Sequence, residues 1–133
     1  MGSKGSLKGI KALVVDDAQV VQAALQLILS ELDCEVTVAG SGQQAIDLFD
    51  FSFDVIFMDF VMPGMNGDEA VKAIRQKEKN QNKKNSTYII GLTANNSEEV
   101  NRACMDAGIN TVIEKPINPE ALRKLLSELD LKN

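Results

Sequence analysis

The chain has 133 residues, with 14 Lys plus Arg against 19 Asp plus Glu, two cysteines, no tryptophan and no histidine. This length suits one hydrophobic core and leaves no room for a second folded output module. The missing histidine excludes His-dependent triads, His-ligated zinc or haem, and any role as a phosphohistidine carrier.

The formal net charge of -5 is spread unevenly. Residues 12–71 hold eleven Asp or Glu and no Lys or Arg, so that stretch carries -11 and the remainder +6. So long an acidic block argues against direct nucleic-acid binding and against anionic membranes, which are held mainly by Lys and Arg. It could instead hold a cation. Cys34 and Cys104 lack a CxxC spacing and read as reduced structural thiols. No apolar run approaches the roughly 20 residues that span a bilayer, and no signal-peptide core is present. A cytoplasmic protein without membrane insertion is expected. Residues 1–7, rich in Lys, Gly and Ser, read as a flexible tail, and 8–131 as the folded domain.

In chain order, residues 11–16 (KALVVD) form a short β-branched run ending in acids, as a buried strand would. Residues 18–32 read as a helix, with Gln19, Gln22, Gln26 and Ser30 on one stripe at 3.6 spacing. Residues 35–39 read as a second strand and 41–49 as a second helix. A third strand, 54–58, delivers Asp59 at its end; a third helix follows over 67–79. The Asn- and Lys-rich connection 80–86 is expected to be the most mobile internal loop. Residues 88–92 read as a fourth strand, and Ser97 before Glu98 and Glu99 as the N-cap of a helix. A fifth strand over 111–114 precedes a last helix over 118–129, with Asn118 as N-cap and Pro119 at its first position.

Five strand–helix units imply an α/β fold, a doubly wound five-stranded parallel sheet with helices on both faces. In such sheets ligands bind outside the carboxyl ends of the strands. Gathered there are Asp16 and Asp17 after the first strand, Asp59 after the third, Thr93 after the fourth and Lys115 after the fifth. Three neighbouring carboxylates repel one another unless something neutralises them. Hard oxygen ligands of this kind suit Mg²⁺. Together with an ammonium and a hydroxyl donor, they make the set that phosphoryl transfer requires.

The strings VVDD at 14–17, MDFVMPGMNG at 58–67, LTA at 92–94, AG at 107–108 and KP at 115–116 occur in this order on five alternating units. The chain thereby resembles the receiver domain of two-component response regulators over nearly everything outside the tail. The resemblance implies the flavodoxin-like, CheY-like fold with strand order 2-1-3-4-5. It also implies that Asp59 is the phosphoacceptor, attacking the phosphorus of a partner's phosphohistidine. Mg²⁺ would be bound directly by Asp17 and Asp59, largely through water by Asp16, and by the main-chain carbonyl of Val61. Lys115 would pair with Asp59 and then with the phosphoryl group, while the Thr93 hydroxyl and Ala94 amide receive phosphoryl oxygens. Pro116 would be a cis proline that aims Lys115, and Pro63 and Gly67 would shape the site.

The implied partner is a histidine kinase or a histidine phosphotransfer domain, with the chain itself a monomer or weak dimer. It would be no stand-alone enzyme, but would catalyse its own phosphorylation and dephosphorylation. The rivals are an aspartyl-phosphate phosphohydrolase on a related fold and a phosphorylation-independent binding receiver. The first lacks its DxDx pattern here, and degenerate binding receivers usually lack a member of a set that is complete in this chain. Residues 91–117 resemble receivers attached to hybrid sensor kinases more than those of transcription factors.

Three features depart from the family pattern or extend it. The aromatic residue that commonly precedes the Lys-Pro pair by three positions is replaced by Val112, so an aromatic-coupled switch is not expected in its usual form. Movement of Thr93 and the loop after it is expected to exceed that of the distal face. Val61 and Asn95 stand at positions that in this family influence hydrolysis through water access. The first helix has an apolar arc of about 200°, wider than the roughly 100° a surface helix must bury. Val20, Ala23, Ala24 and Leu27 are therefore candidates for a docking rim that meets the donor's helical bundle.

Overall fold

Strands whose residues are apolar on both faces must be covered on both sides, and this requirement organises the molecule. The computed structural model describes residues 6–81, 86–95, 97–129 and 131. Strands β1 (Lys11–Val15), β2 (Glu35–Ala39), β3 (Val55–Asp59), β4 (Tyr88–Thr93) and β5 (Thr111–Glu114) form one parallel sheet in the order β2-β1-β3-β4-β5. Between and after them run α1 (Gln19–Glu31), α2 (Gly42–Leu48), α3 (Gly67–Asn80), α4 (Glu98–Ala107) and α5 (Pro119–Glu128). This is the doubly wound parallel sheet expected from the alternating pattern, in the flavodoxin-like order that the family resemblance implies.

Period-two alternation divides the core into two layers. Ala12 and Val14 of β1 share one layer with Leu25 and Leu29 of α1 and Leu122 and Leu126 of α5. Leu13 and Val15 point the other way, into a layer with Ala45 of α2, Val71 and Ile74 of α3 and Cys104 of α4. Each Leu, Ile or Phe buried this way contributes about 2 kcal/mol of transfer free energy. Cys34 and Cys104 are free and buried in these layers, and burial pushes the Cys34 thiol up to about 11.

Local capping chemistry sets most helix starts. Ser41 accepts from the Gln44 amide, Ser97 from Val100, and Asn118 from Ala121 with Pro119 at the first helical position. Helix α1 differs: Ala18 has no capping side chain, and Asp16 Oδ1 accepts the Ala18 N–H at 2.9 Å instead. That bond starts α1 one residue later than the apolar pattern suggests.

Tertiary pairing also moves strand ends. Strand β3 begins at Val55 and includes Asp59, because Asp59 pairs with Leu92; β4 continues to Thr93, which pairs with Glu114. Leu7, read from sequence as part of a tail, is buried, and its N–H donates to the Leu32 carbonyl at 2.6 Å. Residues 1–5 of that expected tail, and 82–85 of the connection expected to be mobile, lie outside the described residues. Among the described residues no helix is long and apolar enough to cross a membrane.

One long-range polar cluster holds the opposite end of the sheet. The Arg75 guanidinium of α3 donates to the Gly108 carbonyl at 2.7 and 3.0 Å, to the Thr87 carbonyl at 2.8 Å, and to Glu78 Oε1 and Asn110 Oδ1. Glu78, itself buried, accepts the Thr87 N–H on its other oxygen at 2.7 Å. This cluster ties α3 to the left-handed Gly108 that ends α4 and to the segments entering β4 and β5.

Candidate functional site

The hydrogen-bond ladder runs one residue past several strands and so gathers their next side chains. Asp16 N–H donates to the Ala39 carbonyl, Phe60 N–H to Leu92, and Lys115 N–H to Thr93 at 2.7 Å. The residues brought together are Asp16, Asp17, Asp59, Thr93 and Lys115, around a cleft of about 280 Å³ whose walls include Ala18, Val61, Ala94, Asn95 and Val100.

The three carboxylates offer oxygens that lie within 4.8 Å of one another. Asp16 is fully buried and Asp59 nearly so, whereas Asp17 faces solvent. The Lys115 ammonium bridges the buried pair, 2.9 Å from Asp16 Oδ2 and 3.1 Å from Asp59 Oδ1. One ammonium among three carboxylates leaves negative charge in excess. Burial pushes the Asp59 carboxyl up to about 6; the Lys115 ammonium pulls against that rise, and the Asp16 carboxylate adds to it. Lys115 loses some basicity to burial, but its bonds to Asp16 and Asp59 hold it above the usual lysine value.

The Lys115 ammonium, at 2.9 Å, is the one described partner of the buried Asp16 Oδ2. A buried oxygen of this kind, beside two more carboxylates and excess negative charge, fits a divalent cation with oxygen preference.

Glycine is required where α3 begins. A Cβ on Gly67 would lie 2.2 Å from the Asp59 carbonyl oxygen, and the Gly67 N–H donates to the Phe60 carbonyl at 2.7 Å. The start of α3 thus buttresses the backbone of Asp59. Pro63 sits on the exposed turn before it, next to Gly64 at φ +84°. On the other side of the cleft the Lys115–Pro116 peptide is cis.

Thr93 is buried, and its hydroxyl is engaged within its own loop, donating to the Asn95 carbonyl at 2.9 Å and accepting the Asn95 N–H at 3.0 Å. The described bonds of this hydroxyl therefore lead away from Asp59.

The sequence profile of the response regulator receiver domain matches residues 12–127. The chain is a response regulator receiver domain. Hybrid signal transduction histidine kinase K of Dictyostelium discoideum is 33% identical over 121 residues, covering 88% of this chain but 10% of that protein. The receiver thus spans about a tenth of the length of that curated relative. Among solved structures, a chain of the Saccharomyces cerevisiae complex between the histidine phosphotransfer signaling protein Ypd1 and the receiver domain of Ssk1 matches at TM-score 0.82. Its identity is 33%, with 91% of this chain and 88% of that one covered. The receiver domain of a Pseudomonas aeruginosa sensor histidine kinase, with a magnesium ion in its active-site cleft, matches at TM-score 0.77 and 31% identity over 89% and 94% of the two chains.

On the receiver's outer surface, Val20 is 81% and Leu27 63% exposed; Ala23 is also exposed and Ala24 half-buried. Val61, at the mouth of the cleft, is 68% exposed. Val112 is half-buried and packs against the α2–α4 layer, and a side chain on Gly91 of β4 would touch it. Sequence reasoning missed Val100, whose place in the cleft wall follows only from how the first turn of α4 folds back. It also gave Gln22 no role beyond the polar stripe of α1.

Proposed function

We propose that this receiver accepts a phosphoryl group on Asp59 from a phosphohistidine of a histidine kinase or histidine phosphotransfer domain, in a Mg²⁺-dependent reaction. The signal would pass on by conformational change or onward transfer. The observation that carries this reading is the three-carboxylate cluster bridged by Lys115 at the carboxyl edge of the sheet. The phosphotransfer complex and the magnesium-bound cleft of the two related receivers support it.

Asp17, Asp59 and the Val61 carbonyl would hold the cation, with Asp16 acting largely through water. Bound Mg²⁺ would supply charge neutralisation at the phosphoryl oxygens. In the transfer, an Asp59 carboxylate oxygen forms the new O–P bond as the P–N bond to the donor imidazole breaks. The electron pair returns to that ring nitrogen. Lys115, already 3.1 Å from Asp59, offsets charge on the approaching group, and the Thr93 hydroxyl and Ala94 amide donate to its oxygens. Such a reaction needs alignment and electrostatic stabilisation more than covalent help. Hydrolysis of the aspartyl phosphate at the same site would return the carboxylate and end the signal. Exposed Val20, Ala23 and Leu27, with half-buried Ala24, would form the apolar rim that receives the donor's helices.

Incubation with Mg²⁺ and acetyl phosphate, followed by intact-mass measurement, tests the reading. The wild-type protein should gain the mass of one phosphoryl group and the Asp59→Asn variant none. No gain, or an equal gain in both, would overturn it.

A further inference from the structure

Each polar atom of Asp16 has a partner. Its N–H donates to the Ala39 carbonyl at 3.2 Å and its Oδ1 accepts the Ala18 N–H at 2.9 Å. Its own main-chain carbonyl accepts from Gln22 Nε2 at 2.6 Å, a contact that spans the β1–α1 turn. Its remaining polar atom, Oδ2, pairs with the Lys115 ammonium at 2.9 Å.

That carbonyl lies between Asp16 and Asp17 along the backbone, so whatever fixes it fixes the peptide plane on which Asp17 is hung. Asp17 itself is exposed and lies on the turn between β1 and α1. Gln22 is placed to reach back because α1 starts directly after the turn and presents Gln22 one helical turn in.

We infer that Gln22 is a positioning residue that sets the peptide between Asp16 and Asp17, and thereby prepays the ordering of the acidic pair for a divalent cation. The inference rests on the proposed Mg²⁺-dependent reading of the site. Partners of metal ligands commonly tune affinity by orienting the first set of donors, although they never touch the ion.

Helix α2 contains a matched control. Gln44 Oε1 accepts the Gly40 N–H at 2.8 Å and fastens the turn after β2, with no bond to an acid of the site. The two glutamines do similar structural work on neighbouring turns, and only Gln22 does it on the acidic pair.

The test compares Gln22→Met, which keeps the length of the side chain and removes the donor, with Gln44→Met. Gln22 is half-exposed on a helix and methionine is a good helix former, so the variant should fold. Magnesium dissociation constants are measured by calorimetric titration without any phosphodonor. Losing one ordinary hydrogen bond corresponds to roughly a fivefold change. Gln22→Met should therefore weaken Mg²⁺ binding about fivefold while Gln44→Met stays within about twofold of wild type. The magnesium concentration giving half-maximal phosphorylation by acetyl phosphate should rise in parallel, with the rate at saturating magnesium little changed. Equal affinity in wild type and Gln22→Met, or equal weakening in both variants, would overturn the inference. Absence of Mg²⁺ binding or of phosphoryl gain in the wild type would instead bring down the underlying reading.

Discussion

Two opposed demands meet at Asp59: the proposed role as nucleophile requires an ionised carboxylate, yet burial disfavours its charge. Its carboxyl rises to about 6, mainly through burial, so the folded value lies above that of the unfolded chain. In metal-free protein this contributes stability that is fully present below about pH 4 and is lost as pH rises through about 6. On the proposed ligand set Mg²⁺ competes with the same proton, so its dissociation constant should rise about tenfold per pH unit below about pH 6 and level off above it. Calorimetric titrations across that window check this, and a flat profile would show that Asp59 is not a ligand. Gly67 acts on the same residue through the backbone. Placing a Cβ 2.2 Å from the Asp59 carbonyl should cost about 1–3 kcal/mol in Gly67→Ala, read from the urea midpoint, with a simultaneous loss of magnesium affinity. The grouping of these side chains was legible in the sequence, because acids, a threonine and a lysine that directly follow or end short apolar runs announce themselves. The state of Thr93 was not legible, since its bonds to Asn95 depend on how the loop turns.

Among the elements, α1 and α4 carry the sharpest expectations. Helix α1 buries Leu25, Ile28 and Leu29 but leaves Val20 and Leu27 in solvent, so its wide apolar arc exceeds what the core uses. Val20→Lys and Leu27→Lys should each slow transfer from a phosphorylated histidine partner by about tenfold, the effect of losing roughly 1.4 kcal/mol of docking contact. Phosphorylation by acetyl phosphate should be unchanged, and equal loss in both assays would remove the docking role. Helix α4 is fastened at its end by Arg75. Arg75→Ala leaves buried Glu78 without its ion pair and should lower stability by about 3–5 kcal/mol in urea unfolding. Arg75→Lys should recover only part, because an ammonium cannot reproduce the fork that meets Gly108, Thr87 and Asn110. Helix starts were readable because Ser41, Ser97 and Asn118 cap through neighbours three residues away. The Arg75 cluster was not, since its partners lie up to 35 residues distant.

For the molecule as a whole, the separation of charge along the sequence becomes a separation in function. The acidic block supplies all three carboxylates, while the ammonium comes from the residue after β5, toward the other end of the chain, so the site exists only once the sheet is complete. A cation that binds only the folded state stabilises it by mass action: about 2.7 kcal/mol at one hundred times its dissociation constant. For a domain of this size that is about 10 °C in the melting temperature. A magnesium titration followed by thermal unfolding should show this shift, and Asp17→Asn should reduce it sharply. The parallel sheet covered on both faces followed from the alternating pattern, and the strand order from the family resemblance. Burial of Leu7 did not, because its partner at Leu32 becomes a neighbour only through the tertiary fold.

The hydroxyl of Thr93 also bears on background noise. On its proposed role, it must surrender two hydrogen bonds to Asn95 before it can face the site. At about 1 kcal/mol each, these bonds hold the turned conformation to roughly one molecule in thirty when no phosphoryl group is present. The turned state would thus stand at a few per cent before any phosphoryl group arrives, a floor set by one side chain's grip on its own loop. Both partners of that hydroxyl are main-chain groups of Asn95, so an ordinary side-chain substitution at position 95 would leave the floor where it is.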